Sequence, residues 1–377
     1  MKKTLIAVAA LSAMAASAMA AQVTLYGKID QAIQVTHTSP AKGDSTTKWG
    51  GVSGVSSGSR WGLKGTEEIA DGYKVGFVFE SGIDGMDGSA NKDRLFNRDC
   101  YLSFDTPFGQ FVVGRTGMLS DGNTGDIIAG QASPFGTSYK LAASNAANGV
   151  FNTIYGGRTD RAIRYVSPKF AGFKVHAEYA NMTYSKTTKS TLDTTVTYNK
   201  EKYEVSVPVE TTANTYGSTA STKKRYGGLG VSYANGPLYV AVTAETVRLP
   251  ASDSKKDPSF YSLAANYDFG VVKAFGGFQH ARHAEAGTNF VGKYNGGILG
   301  VSAPISNGTL MAAVSYRKGE TDVGDKDYKW LTSAIGYKYN LSKRTYLYTD
   351  VAYGYEDIED AGKTKTTQFN LGICHNF

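Results

Sequence analysis

The chain has 377 residues and a formal net charge of +7, which falls to about +5 if Lys2 and Lys3 leave with an N-terminal leader. So small an excess does not indicate a nucleic-acid protein. Its 44 Gly, 25 Tyr and 17 Phe, with only 9 Pro, depart from a soluble chain of Leu- and Ala-rich helices, and no linker-like stretch divides it. Past residue 20 no run approaches the length of an apolar helical span, so a helical membrane crossing is excluded.

Residues 1–20 read as a secretory signal peptide: Lys2 and Lys3 are basic, Leu5 through Ala16 are apolar, and Ala18 and Ala20 are small. The mature part, 21–377, then reads as one barrel domain. Apolar and polar or small residues alternate with period two, as in Phe173, Val175, Ala177 and Tyr179 against Lys174, His176 and Glu178. The same pattern recurs along 238–245 and 310–317, one face suited to lipid and the other to water. A soluble sandwich would also alternate, so the choice rests on the export signal and on loop lengths.

Seven tight turns, at 70–72, 106–109, 168–172, 234–237, 268–270, 306–308 and 340–343, carry the Gly, Asn and Pro that such turns need. Between them lie eight longer polar segments, near 39–57, 84–97, 119–157, 186–222, 250–257, 284–293, 319–327 and 356–365. This alternation predicts sixteen strands with both termini on the turn side, the short-turn and long-loop asymmetry of outer-membrane barrels. Only a closed barrel satisfies the backbone of such strands in lipid. The stretch 191–210 alternates around Asn199–Lys202, and is either a projecting hairpin or two further strands making eighteen. The chain ends on an alternating strand and a terminal aromatic, Phe377.

Four segments carry a resemblance: Gln22–Gly27 (QVTLYG), Ser59–Gly65 (SRWGLKG), Phe111–Arg115 (FVVGR) and Arg164–Pro168 (RYVSP), together with Phe377. In combination they resemble the general porins of neisserial and β-proteobacterial outer membranes, over most of the mature chain. The resemblance implies an all-β, sixteen-stranded transmembrane antiparallel barrel with an inward-folded third loop. It further implies a homotrimer in the Gram-negative outer membrane, among its lipids and lipopolysaccharide, passing small hydrophilic solutes with a preference for anions. Phe377 would be the assembly signal. The family commonly has Asn where Arg161 stands here, and Cys100 and Cys374 belong to no shared motif.

The segment from Thr116 to about Gly157 is long enough to need a role. As a constriction loop it would set Asp121 and Asp126 against basic residues of the wall. Phase assigns Arg60 and Lys64 inward if Trp61 and Leu63 face lipid, and Arg158, Asp160 and Arg164 inward if Ile163 and Tyr165 do. Arg115 and Arg98 join the candidate lumen charges, although Arg98 shares the phase of Leu102 and Phe104 unless the strand is interrupted. Such a wall would raise the local concentration of anions, or else its charges are solvated rim groups with little influence. Tyr337, Tyr339, Tyr353, Tyr355 and Phe377 fit interfacial girdles. His37, His176, His280, His283 and His375 form no catalytic or metal signature, so no enzyme, cofactor or metal is expected. The competing functions are a substrate-selective eighteen-stranded channel for sugars or organic anions, and an outer-membrane barrel hydrolase or adhesin.

Overall fold

A computed structural model describes residues 23–90, 94–120, 124–143, 150–151, 157–190, 216–250, 256–286, 289–321 and 326–377. The leader, Asp121 and the stretch 191–210 lie outside them. Eighteen strand segments follow in order: β1 (Thr24–Ser39), β2 (Thr46–Ser53), β3 (Arg60–Ala70), β4 (Tyr73–Gly82), β5 (Cys100–Thr106), β6 (Gly109–Gly117), β7 (Arg158–Val166), β8 (Phe173–Ser190) and β9 (Tyr216–Asn235). The second half comprises β10 (Leu238–Arg248), β11 (Ser259–Asp268), β12 (Lys273–Arg282), β13 (Glu285–Ala286), β14 (Asn289–Ile305), β15 (Gly308–Thr321), β16 (Asp327–Asn340), β17 (Thr345–Ile358) and β18 (Gly362–Asn376).

These segments make sixteen staves. Along β1 the partner is first β3, from Thr24↔Lys64 to Lys28↔Arg60, and then β2, from Gln31↔Ser53 to Thr38↔Thr46. The two are halves of one stave interrupted at 54–59. The two-residue β13 pairs only with the outer end of β14. Antiparallel pairing of β1 with β18, from Lys28↔Asn376 to Ser39↔Lys365, closes the ring. No wall strand enters between β8 and β9, which pair directly from Phe173↔Tyr233 to Ser190↔Tyr216, and this overturns the eighteen-stranded alternative.

All seven tight turns fall between the strands that the turn chemistry marks. The outer loops differ more. Strands β17 and β18 continue pairing to Ile358↔Gly362, so the last loop is much shorter than the polar stretch 356–365 suggests. Polar residues there sit on strands that rise into water, where side-chain alternation no longer needs an apolar face.

Leu25, Ile33, Leu299, Ile335, Val351 and Leu371 are exposed on the outer face. Their strand neighbours, such as Ala32, Gly300, Ala352 and Gly372, point inward and are buried. So continuous an apolar exterior is stable only against lipid. Tyr337 and Tyr339 keep the phase of Ile335 near the turn side, their rings 6.5 Å apart. At the seam, Gly27 N–H donates to the Phe377 carbonyl (3.1 Å) and Phe377 N–H to that of Gly27 (3.0 Å). A Cβ at Gly27 would stand 2.4 Å from Cζ of the Phe377 ring, so glycine makes the socket for the terminal aromatic. Cys100 and Cys374 are both free thiols.

The third long loop lies inside. Its apolar side chains press against inward-facing glycines of the wall: a Cβ would come within 2.8 Å of Ile127 at Gly230, 2.6 Å of Ala132 and Phe151 at Gly277, 2.5 Å of Pro134 at Gly300 and 2.9 Å of Phe135 at Gly336. Buried Ile128, Ala129, Ala132, Val150 and Phe151 pack with Ala241, Ala264 and Ile298 of β10, β11 and β14. The loop therefore follows the inner wall from β9 round to β17.

Candidate pore constriction

The loop is fixed at its root, its turn and its tip. At the root, Arg164 on β7 donates from Nε to Glu178 Oε2 (3.0 Å) on β8, and from its terminal nitrogen to Thr116 Oγ1 (2.5 Å) and the Gly117 carbonyl. Thr159 Oγ1 donates to the other Glu178 oxygen (2.7 Å). Tyr226 receives the Leu119 N–H and donates to Glu245 Oε1 (2.6 Å). A little further on, the Asp126 carboxylate accepts from the amides of Ile128, Ala129 and Gly130 at 2.7–2.9 Å, capping the short turn Ala129–Gln131.

At the tip, Tyr139 N–H donates to the carbonyl of Val55, in the break between β2 and β3. That break is held by Asp30, whose carboxylate accepts from Ser56 Oγ (2.8 Å), Ser57 N–H (2.6 Å) and Tyr348 O–H. The Tyr139 ring stands edge-on to Tyr348 with centroids 5.5 Å apart, and burial raises its phenol above the ordinary value. The six-residue interruption of the second stave is thus a bracket for the loop.

Because the loop covers the wall from β9 to β17, the passage is left beside the inner faces of β1, β3, β4 and β5. Glu80 on β4 is the hub of that wall. Its Oε2 pairs with Arg60 Nε (3.3 Å) and accepts from Tyr26 O–H (3.1 Å), while Oε1 takes Arg98 Nε (2.5 Å). Both guanidiniums keep 21% exposure of their side chains, whereas Glu80 keeps 8%. Arg158 pairs with Asp99 (3.1 Å), and both Arg158 and Lys28 are within electrostatic reach of Arg60. Lys64, exposed, sits over the Tyr26 ring at 5.2 Å. Lys28, Arg60, Arg98 and Arg158 thus gather around three carboxylates, Glu80, Asp99 and Asp30.

Arg60 and Lys64 lie on the face that strand phase assigns them. Arg98 reaches the same face because the chain before β5 has left the strand, which frees it from the phase of Leu102 and Phe104. Arg158 points inward but is largely buried on Asp99, and Arg164, at 4% side-chain exposure, lies under the loop root. Arg164 anchors the loop and does not line the passage.

Arg115 and Asp160 depart from the inward expectation. Arg115 keeps the phase of Phe111 and Val113, which are exposed on the outer face, and pairs with Asp160 (2.6 Å), itself paired with Arg94 (2.8 Å). For Arg115 this is the plain alternation of β6; for Asp160 the physical cause is a bulge, since the β6–β7 register jumps between Gly114↔Ala162 and Thr116↔Thr159. Within it Arg161 has φ +54°, a left-handed conformation that Asn adopts more readily, which accounts for the Asn common in the resembling family. Asp126 faces backbone amides, not the arginine wall. Phase reasoning missed Glu80, Lys28 and Tyr26; the polar Glu80 alternating with Phe77 and Phe79 was the available signal for the first. His176 faces Ser232 (3.0 Å) on the inner wall.

Comparison with known proteins places this geometry. A family model described as Gram-negative porin matches residues 7–361. An outer membrane porin protein of Bordetella pertussis is 30% identical over 419 residues, covering 100% of both chains. Outer membrane porin protein 32 of Delftia acidovorans is 31% identical over 355 residues, 94% of this chain and 89% of its own. Among solved structures, an anion-selective porin from Comamonas acidovorans matches with a TM-score of 0.64 at 26% identity, over 95% of this chain and 100% of that one.

Proposed function

Since the chain belongs to the family of Gram-negative porins, we propose that its passage, bounded by the third loop and the Glu80-centred basic wall, prefers small anions. The protein is an outer-membrane barrel through which small hydrophilic solutes and ions diffuse passively. The observation that carries the preference is that Lys28, Arg60 and Arg98 outnumber the carboxylates of Glu80 and Asp30 on the wall beside the loop. Fixed positive charge in a wet pore enriches anions and depletes cations. A neighbour in fold and sequence, the Comamonas acidovorans porin, is itself described as anion-selective.

The same reading takes the assembly to be a homotrimer, surrounded by outer-membrane lipid and lipopolysaccharide, made from a chain whose first 20 residues are cleaved as a leader, with Phe377 as the assembly signal. It assigns no catalysis and no cofactor. The deciding measurement is the zero-current potential of the purified protein in a planar bilayer across a KCl gradient. A chloride-favouring sign supports the basic wall, and a cation-favouring sign refutes it while leaving the channel intact.

A further inference from the structure

Between the third loop and the tight turns, the inner wall carries charges that the constriction does not use. On three staves a lysine follows the level at which the passage narrows. On β3, Lys64 lies four residues beyond Arg60, and its cross-strand partners are Thr24 and Val78. On β8, Lys174 faces Ser232, two residues nearer the turn than Gly230, where Ile127 of the loop packs. On β16, Lys338 faces Thr309 and Tyr348, two residues nearer the turn than Gly336, where Phe135 packs. At about 3.3 Å per residue, these offsets are roughly 7–13 Å along the strands.

The inward direction of each lysine is fixed by its neighbours. Lys64 Nζ stands 5.2 Å from the centre of the Tyr26 ring, whose hydroxyl donates to Glu80. Lys338 Nζ stands 5.4 Å from the ring of Tyr346, which bonds to Ser56 in the bracket. Lys174 shares the face of His176, which bonds to Ser232 and is within electrostatic reach of Lys174. An aromatic face holds an ammonium in place without cancelling its charge. Lys64 and Lys174 are exposed and Lys338 is half-buried, and among the described residues none of the three forms an ion pair. The carboxylates of this rim are engaged elsewhere. Glu68 pairs with Lys74 (3.6 Å), Asp105 accepts from Gln110 (2.7 Å), and Asp268 accepts from the Gly270 amide while facing a fourth lysine, Lys273.

We propose that Lys64, Lys174 and Lys338 form a second anion-attracting tier at the turn-side entrance, apart from the Glu80 cluster, which makes selectivity for small anions depend on the direction of the salt gradient. The tier deepens the anion-channel reading above and rests on it. Because the three lysines come from well-separated staves, they surround the opening and do not line one side of it. A charge at one mouth acts on the solution that bathes that mouth. Its reach is about 30 Å at 0.01 M salt and about 10 Å at 0.1 M. With the dilute solution on the turn side, all three lysines act on every entering ion; with the concentrated solution there, they are largely screened.

The experiment records zero-current potentials of single channels of the full-length protein in a planar bilayer, between about 0.1 M and about 0.01 M KCl, and then with the gradient reversed across the same channel. The native channel should give chloride-to-potassium ratios that differ about threefold or more between the two directions. Lys64→Gln/Lys174→Gln/Lys338→Gln should lose that difference, and arginine at all three positions should keep it. Arg98→Gln should lower the ratio in both directions and leave the difference in place. Lys318→Gln/Lys329→Gln/Lys365→Gln, which removes the same charge from the outer face of the barrel, should behave as the native protein does. Equal ratios in both directions for the native channel, a difference that survives in the lumen triple variant, or one that disappears in the outer-face variant overturns the tier. A potassium preference in both directions would count against the basic wall at Glu80, while a direction dependence lost in the lumen triple variant would still support the tier.

Discussion

Neutralising the hub and neutralising one spoke of the basic wall should move ion selectivity in opposite directions. Glu80→Gln removes the negative charge between Arg60 and Arg98, and Arg98→Gln removes one positive charge from the same spot. At roughly 5 Å from a passing ion, one unit charge is worth about 0.8 kcal/mol in bulk water. A Debye length of about 8 Å at physiological salt leaves about half of that. Half a unit of this size changes the local anion concentration about twofold and the cation concentration about twofold the other way, so the permeability ratio shifts about fourfold per charge. Glu80→Gln should raise the chloride-to-potassium ratio by about that factor, and Arg98→Gln should lower it by a similar factor. Zero-current potentials in a KCl gradient with the dilute side near physiological ionic strength measure both. If the two variants shift in the same direction, or neither shifts, the Glu80 cluster does not border the ion path and the reasoning fails.

Four further outcomes follow from the geometry. Gly277→Val should push the third loop off its wall socket at Ala132 and Phe151, lowering single-channel conductance without loss of folded barrel on heat-modifiability gels. Glu178→Gln leaves the buried Arg164 guanidinium without its counter-charge, and should cost about 3–5 kcal/mol, read as a lowered denaturant midpoint. Asp126→Ala removes the carboxylate that accepts from three amides of the loop turn, and should cost about 1 kcal/mol and add open-channel noise in single-channel records. Gly27→Val should collide with the Phe377 ring and slow barrel closure, visible as unfolded monomer persisting in refolding time courses.

The wall was legible because period-two alternation, Gly- and Pro-marked turns and a barrel's two-sided chemistry are all local signals. What escaped were non-local events. The break at 54–59 looks like one end of a polar loop in sequence, yet Asp30, Tyr348 and Tyr139, all distant along the chain, make it a bracket inside one stave. The bulge at Arg161 shifts phase by one residue, so Asp160 turns outward against a correct assignment of Ile163. Strand phase marked Arg164, and its place in the third loop marked Asp126, as pore candidates. Their partners, Glu178 in one case and three backbone amides in the other, decide that they hold the loop in place. Glu80 was overlooked because a carboxylate's importance here comes from two arginines that reach it from a different strand and from a loop.

The tip of the third loop docks on Tyr348 and on the bracket beside β1, elements drawn from the end and the beginning of the chain. Its root, by contrast, is tied down by β7, β8 and β9 near the middle. The aperture therefore reaches its final width only after the first and last staves have met. Pore calibre acts as a checkpoint on assembly: a barrel with an open seam has no seated loop tip, and conducts, if at all, as a wider and less discriminating hole.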